Sequence, residues 1–405
     1  MNSLLLNAGT LMGYGLVAYS YLGLPILLMG ISLIRKRATG GTRADSKPTP
    51  RVAVVVAAHN EQSVIDHMIG ACLALDYPHD RIRIFIGDDG SSDATVERAQ
   101  AFAEPRLSIR AYSSRRGKIS VVNDLMADPE LRAFDPRITL FCDAKSVLSP
   151  NTVNAIVDSF ADPNVGCVAL KLRMESESGK ARGEGLYWKY EMKLKALEDQ
   201  LGCVMGCNGG GFGMLTELFE PIAPGTIVED FVLSLGVLMK GYQIRFASHA
   251  EVRQPACADV RSEWLRKVRI GAGNYQALGP CAPLLNPFYG MPSLVFWGHK
   301  VLRWFTPFLL LLAWGCDAVA LGGSTGIAHT AHLASLSVAL FIIAASLISW
   351  ARPNDPRVPA LIRLSGYFGL MNYALLAGFG RWVRRTQQVT WEKADRTWTP
   401  AKGQA

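Results

Sequence analysis

Apolar and polar residues follow two different patterns along this chain, and the change of pattern divides it. Toward both ends the apolar residues run almost uninterrupted by charge: residues 11–34, 305–321 with its flanks, and 332–350. About 20 consecutive apolar residues cross a bilayer core, so each run predicts a transmembrane helix and not a buried core helix. Between them the apolar runs are short and end in polar tips. RVAVVVAAHNE, RIRIFIGDDGS, LSIRAYSS and RITLFCDA read as strands, while 63–75, DATVERAQAFA and KISVVNDLMA read as helices. Strands alternating with helices at this spacing predict an α/β domain with a mostly parallel sheet covered on both faces. Ligands in such sheets sit beyond the carboxyl ends of the strands. Those ends carry His59, Asn60 and Glu61, then Asp88 and Asp89, then Asp143.

Further along, VGCVALKLRM reads as a strand and GEGLYWKYEMKLKALEDQLG as an amphipathic helix. GCNGGGFGM reads as a glycine-rich loop, whose glycines let backbone approach a ligand closely. TIVEDFVLSLGVLMKG predicts a helix with Glu229 and Asp230 in its first turn, where the helix dipole favours acids. YQIRFASHAEV and a basic stretch, EWLRKVRIGAGNYQAL, close the soluble part. Residues 281–300 are apolar but broken by prolines and Gly290, which predicts an interfacial helix. The segment 361–380 carries Arg363 and Asn372 and is followed by Arg381, Arg384 and Arg385; it is expected not to cross fully, which leaves the C-terminus inside. The expected organisation is an N-terminal anchor (1–37), a cytoplasmic domain (50–280), an interfacial segment (281–300), a C-terminal transmembrane region (301–385) and a tail (386–405).

Charge fixes the orientation. Arg35, Lys36 and Arg37 follow the first apolar run, with Arg43 and Lys47 behind them, and the positive-inside bias places the middle of the chain in the cytoplasm. The first run is too long for a cleaved signal peptide and lacks a basic start and an A-x-A site. The expectation is a multi-pass protein of the inner (plasma) membrane. A net charge of +8 suits contact with anionic lipid and attraction of a phosphorylated substrate. No concentrated basic patch with stacking aromatics argues for nucleic acid. The eight cysteines lack paired CxxC spacings, and in a cytoplasmic domain they are expected to be thiols.

Taken in order, VVVAAHNEQSVI, FIGDDGSSDAT, RRGKISVVND, LFCDAKSVLSPNTV, GCNGGGFG and TIVEDFVLSLGVLMKGY resemble the motifs of membrane-embedded family 2 glycosyltransferases, the group that includes hyaluronan, chitin, cellulose and poly-N-acetylglucosamine synthases. The resemblance covers roughly residues 50–280. It implies a GT-A domain that binds a nucleotide-diphospho-sugar, with a UDP-sugar as the expected donor, and an inverting transfer of a hexosyl or N-acetylhexosaminyl group. By the same resemblance Asp230 is the base on the acceptor hydroxyl and Glu229 its neighbour. Asp88 and Asp89 approach the nucleotide base and ribose, although a turn before Gly90 explains them equally simply. Glu61, in the His59–Asn60–Glu61 turn, contacts the nucleotide. Lys118 reaches the nucleotide or its phosphates, or belongs to a solvated basic loop. Asn208, Gly209 and Gly210 border the sugar.

Two departures from the family pattern stand out. The family's D-x-D motif holds Mg²⁺ or Mn²⁺ against the diphosphate, but here Asp143 is followed two residues later by Lys145. A protonated lysine cannot ligate a cation and repels one. Three readings follow: Lys145 points aside and Asp143 still holds the metal, the ammonium itself meets the diphosphate, or catalysis is lost. The second departure is QxxRW, a mark of processive members. RKVRI at 266–270 keeps Arg269, places Arg266 at the first position and puts Ile270 where the ring would be. Arg269 can still meet phosphate in fork geometry, but the missing ring argues against processive synthesis. The expected function is transfer of a sugar to a glycan acceptor in cell-surface or exopolysaccharide synthesis, with membrane lipid and export or assembly subunits as partners. The alternatives are a non-processive transferase acting on a lipid-linked acceptor and a catalytically silent nucleotide-sugar-binding membrane protein.

Overall fold

A computed structural model describes residues 3–34, 49–175, 182–255, 260–352, 355 and 357–388. The basic residues Arg35, Lys36, Arg37, Arg43 and Lys47, most of the linker and nearly all of the tail lie outside the described residues. The chain packs as two compact units. Among the described residues, one combines 49–175 with 198–255; the other combines 3–34 with 182–197 and those from 260 to 387. The stretch 50–280, expected as one continuous domain, is therefore divided between the two.

The first unit is built on one eight-stranded sheet: β1 (Val52–Ala58), β2 (Ile82–Asp88), β3 (Leu107–Ala111), β4 (Ile138–Asp143), β5 (Val147–Leu148), β6 (Val165–Glu175), β7 (Gly211–Leu215) and β8 (Gln243–Pro255). Their spatial order is β3-β2-β1-β4-β7-β6-β8-β5. The first four strands are parallel, β7 runs antiparallel between β4 and β6, and β6 pairs parallel with β8. Near-continuous Val, Ile and Ala runs are what a sheet buried on both faces requires, and Val52 to Val56 are at most 1% exposed. Burying each such Val or Ile side chain contributes roughly 1.5–3 kcal/mol.

Strand β7 is a correction to the expected glycine-rich loop, since only 206–210 remain irregular and Gly211 to Leu215 enter the middle of the sheet. Glycine lacks strand propensity, which hides the strand in the sequence. Packing explains it: a Cβ on Gly213 would lie 2.7 Å from Ile156 Cγ2, so only glycine lets the helix Thr152–Ser159 close on the sheet here. The two-residue β5 also gave no sequence signal.

The second unit is helical. Among the described residues, three helices in it are long and apolar enough to cross a membrane by length and composition: Leu4–Ile34, Met291–Leu321 and Gly326–Ala351. Leu4, Leu5, Leu33, Leu340 and Trp350 are exposed on them, as lipid-facing residues are. Inside one of these helices, fully buried Asp317 accepts hydrogen bonds from Thr10 and Ser335 and lies 2.8 Å from His332 Nδ1. An acid at that position persists when neighbouring helices supply its partners.

The expected interfacial segment differs from the structure in its second half. Residues 282–289 form short 3₁₀ turns, whereas from Met291 the chain runs helically into Leu321, through a π-turn at Phe296–Val301. Pro292 sits in the first turn of that helix, where its missing N–H costs nothing. The segment 361–380 lies in a continuous 24-residue helix, Ala360–Val383. It packs on Gly326–Ala351 and on Val260–Ala277, the helix formed by the basic stretch after β8.

Candidate active site

Parallel pairing brings the polar strand tips level. Ala57 of β1 lies opposite Asp143 of β4, and Ala58 opposite Asp88 of β2. Next to β4 the antiparallel β7 delivers its preceding loop, and the Asp143 N–H donates to the Gly209 carbonyl at 3.1 Å. The sheet thus assembles one site from four separate stretches of sequence.

At its edge, the predicted nucleotide-side residues form a hydrogen-bonded scaffold. His59 Nδ1 lies 2.8 Å from the Asp89 carbonyl, the Asn60 N–H donates to Ser91 Oγ, and the Glu61 N–H donates to Thr95 Oγ1. The Asp88 carboxylate accepts from the Ser91 N–H and hydroxyl. The Asp89 carboxylate accepts from the Arg116 N–H at 2.6 Å and the Gly117 N–H at 2.8 Å. Asp88 and Asp89 are 2% and 3% exposed, so both carboxylates act first as braces for the loops that border the site.

The centre is a charge cluster. Lys118 begins the helix Lys118–Ala127, a position where the helix dipole disfavours a cation. Two acids compensate: Lys118 Nζ lies 2.6 Å from Asp143 Oδ1 and 2.6 Å from Glu229 Oε1. Lys118 is therefore not part of a solvated basic loop. Lys145 Nζ lies 3.3 Å from Asp143 Oδ2, and Gln254 Nε2 donates to the same oxygen at 3.1 Å. Burial alone would raise the Asp143 carboxyl, but Lys118 and Lys145 hold it well below the usual carboxylate range. Burial likewise lowers and the acids Asp143, Glu229 and Asp230 raise Lys118, which ends above its ordinary value.

Asp230 is the acid left over. It sits in the first turn of Glu229–Met239, beside a hollow lined by Val122, Phe141, Phe212 and Leu233. Burial there, reinforced by the Glu229 charge and opposed by Lys118, raises its carboxyl to about 7. Gly209 stands between the two aspartates: a Cβ on it would lie 3.3 Å from Asp143 Oδ1 and 3.5 Å from Asp230 Oδ2. Asn208 Oδ1 is buried without a hydrogen-bond donor among the described residues. Gly210 is fixed through its carbonyl, which accepts from the Ser146 hydroxyl.

The donor set does not fit a divalent cation. Both oxygens of Asp143 face ammonium groups, and among the described residues no group of three His, Cys, Asp or Glu side chains is placed to hold a metal. Two unit charges at ~4 Å interact by roughly 4 kcal/mol at an effective dielectric constant of ~20, so a divalent ion beside one ammonium would be opposed by about twice that.

Arg266 and Arg269 lie on Val260–Ala277 in the other compact unit, where Arg266 pairs with Glu263 at 2.9 Å. Conversely, Gln254 and Ser146 went unnoticed in the sequence. Gln254 Nε2 bridges Asp143 and Ser146, and Gln254 is 5% exposed. The signal available was a polar residue at an inward position of β8, two residues after buried Val252.

A family model described as "Glycosyltransferase like family 2" matches residues 50–267, more than half of the chain. The chain belongs to that family. This family 2 chain is 24% identical over 246 residues to a beta-monoglucosyldiacylglycerol synthase of Synechocystis sp., covering 58% of this chain and 50% of that protein. It is 24% identical over 322 residues to an N-acetylglucosaminyltransferase of Rhizobium meliloti, covering 72% and 68% respectively. The chain spans about half the length of most of the curated relatives it matches. Its fold is GT-A. A mannosyltransferase of Pyrobaculum calidifontis, solved with GDP-Man and Mn²⁺, superposes with a TM-score of 0.69 at 19% identity, over 93% of this chain and 99% of that one.

Proposed function

We propose that this protein is an inverting glycosyltransferase. It takes a sugar from a nucleotide-diphospho-sugar, a UDP-sugar in the first instance, and passes it to an acceptor held at the membrane. The observation that carries this reading is Asp230, a carboxylate raised to about 7 and facing Asp143 across Gly209. A base poised near neutral pH accepts a hydroxyl proton efficiently. Asp230 removes the acceptor's proton as its oxygen attacks the anomeric carbon, and the bond from that carbon to the diphosphate breaks. The electron pair leaves with the phosphate oxygen. Glu229 keeps Asp230 basic by its charge, and Asn208 Oδ1 would be satisfied by a sugar hydroxyl.

The acceptor is a lipid or a lipid-linked glycan in this reading. Ile270 in place of an aromatic ring supports a non-processive enzyme, and relatives named for glycolipid and N-acetylglucosamine transfer support both product types. The Mg²⁺ or Mn²⁺ expected from the family resemblance finds no matching donor set at Asp143, whose two oxygens face Lys118 and Lys145. The basic residues after the first apolar run support a cytoplasmic face for the sheet unit and an inner-membrane location.

The test is release of nucleoside diphosphate by the full chain in lipid with a panel of UDP-, GDP- and dTDP-sugars and lipid extract as acceptor, using Asp230→Asn as control. Turnover lost in the variant supports the assignment. Nucleotide-sugar binding with no turnover under any acceptor would make the protein a silent binder and sink it.

A further inference from the structure

Resting on the reading that the donor is a nucleotide-diphospho-sugar, we propose that Lys145, together with Lys118, supplies the positive charge for the leaving diphosphate, and that Asp143 positions these two ammonium groups in place of a divalent cation.

Several observations meet here. The side chain of Lys145 turns toward Asp143, which removes the arrangement in which it points aside. The two Asp143 oxygens are divided between two lysines from different elements, Oδ1 to Lys118 and Oδ2 to Lys145. Lys118 is gripped at 2.6 Å by two acids, whereas Lys145 sits at 3.3 Å, longer than a tight charge-assisted bond. The Lys145 side chain is 22% exposed, within reach of a ligand at the edge of the site.

Its backbone is fixed nonetheless. The Ser146 N–H donates to the Asp143 carbonyl at 2.9 Å and closes a tight turn around Ala144 and Lys145. The Ser146 hydroxyl donates to the Gly210 carbonyl at 2.6 Å, and Gln254 Nε2 donates to Ser146 Oγ at 2.8 Å and to Asp143 Oδ2. Such bracing presents an ammonium from a fixed base, which is how a preorganised charge stabilises a developing anion.

The charge balance agrees. A carboxylate and an ammonium at one position differ by two unit charges, the charge that a divalent cation brings. With Lys145, the cluster of Asp143, Glu229 and Asp230 faces two ammonium groups, Lys118 and Lys145. When the bond from the anomeric carbon to the diphosphate breaks, the oxygen that takes the electron pair needs a neighbouring cation but no proton. Both lysines stay protonated throughout, so the step balances without a metal.

The experiment is calorimetric binding of nucleoside diphosphate to the full chain in lipid, in chelator and in Mn²⁺, for the wild type, Lys145→Met, Lys145→Arg and Lys145→Asp. Thermal melting checks that each variant is folded. The wild type should bind equally with chelator and with Mn²⁺. Lys145→Met should bind about tenfold or more weakly, the scale of a lost hydrogen bond to a charged group, and Lys145→Arg should keep most of the affinity. Lys145→Asp should bind weakly in chelator and regain affinity in Mn²⁺. Wild-type binding that disappears in chelator and returns with Mn²⁺ overturns this proposal alone, as does a folded Lys145→Met variant that binds like the wild type. Failure to bind any nucleoside diphosphate, with or without metal, sinks the nucleotide-sugar reading and this inference with it.

Discussion

Two clusters of buried charge in this chain use the same chemistry and reach opposite results. In the helical unit, Glu191 meets Arg303 at 2.5 Å and His299 at 3.1 Å. The three are 8%, 6% and 2% exposed, and Arg303 also donates to the Tyr190 hydroxyl and lies over the Tyr21 ring. Burial would raise the Glu191 carboxyl, but His299 and Arg303 hold it below its ordinary value. One acid among cations and hydrogen-bond donors is fully engaged. In the sheet unit three acids share two ammonium groups, and Asp230, the surplus acid, titrates near 7. A balanced cluster serves structure; an unbalanced one leaves a group able to take a proton.

The comparison can be broken most decisively at the surplus acid. Asp230→Asn removes the carboxylate proposed as the base while keeping the shape, and turnover should fall by about 10²–10⁴-fold, the usual contribution of general-base catalysis. Nucleoside diphosphate release measures it, with thermal stability unchanged or improved because a strained carboxyl is gone. Glu191→Gln is the counterpart in the other cluster. It leaves Arg303 and His299 buried without their acid and should cost about 3–5 kcal/mol, read as a lower melting temperature in detergent. A Glu191→Gln variant as stable as the wild type would mean that the balanced cluster is not structural.

Smaller effects sharpen the picture. Gly209→Ala places a methyl 3.3–3.5 Å from oxygens of both aspartates, and they must shift by a few tenths of an ångström. Turnover should drop about tenfold, since misplacements near 1 Å cost about 10²-fold, with little loss of stability. The smallest effect is in the pH profile. With its carboxyl raised to about 7, Asp230 in the proposed role of base requires its deprotonated form, so kcat/KM should fall about tenfold per pH unit on the acid side. Replacing Glu229 by Gln removes a charge that raises Asp230, so that limb should move to lower pH. A limb that stays in place would show that Glu229 does not tune Asp230.

Much of this was legible because local rules agree with the fold. The unbroken apolar runs, the Val- and Ile-rich strands and the acids at their tips follow from periodicity alone, and the parallel order of β1, β2 and β4 makes those tips converge. The acids of Glu229–Met239 were visible as first-turn residues. Where packing overrode propensity, sequence reasoning failed: glycines 211 and 213 lie in a strand because Leu170 and Ile156 crowd that face.

What the sequence by itself determined is the inventory of charge: a lysine two residues after Asp143, a lysine at 118, and two acids at 229 and 230. It could not say which of these meet, because Lys118 and Glu229 are brought to 2.6 Å only by the antiparallel insertion of β7 and the placing of two helix starts around it. Nor could it say that Lys145 turns inward or that Gln254 from the far end of β8 holds Asp143 in place. Ion pairing and desolvation depend on distances across the fold, which a local pattern does not contain. Tertiary structure alone decided that Asp143 holds lysines and that Asp230 is left with a proton to exchange.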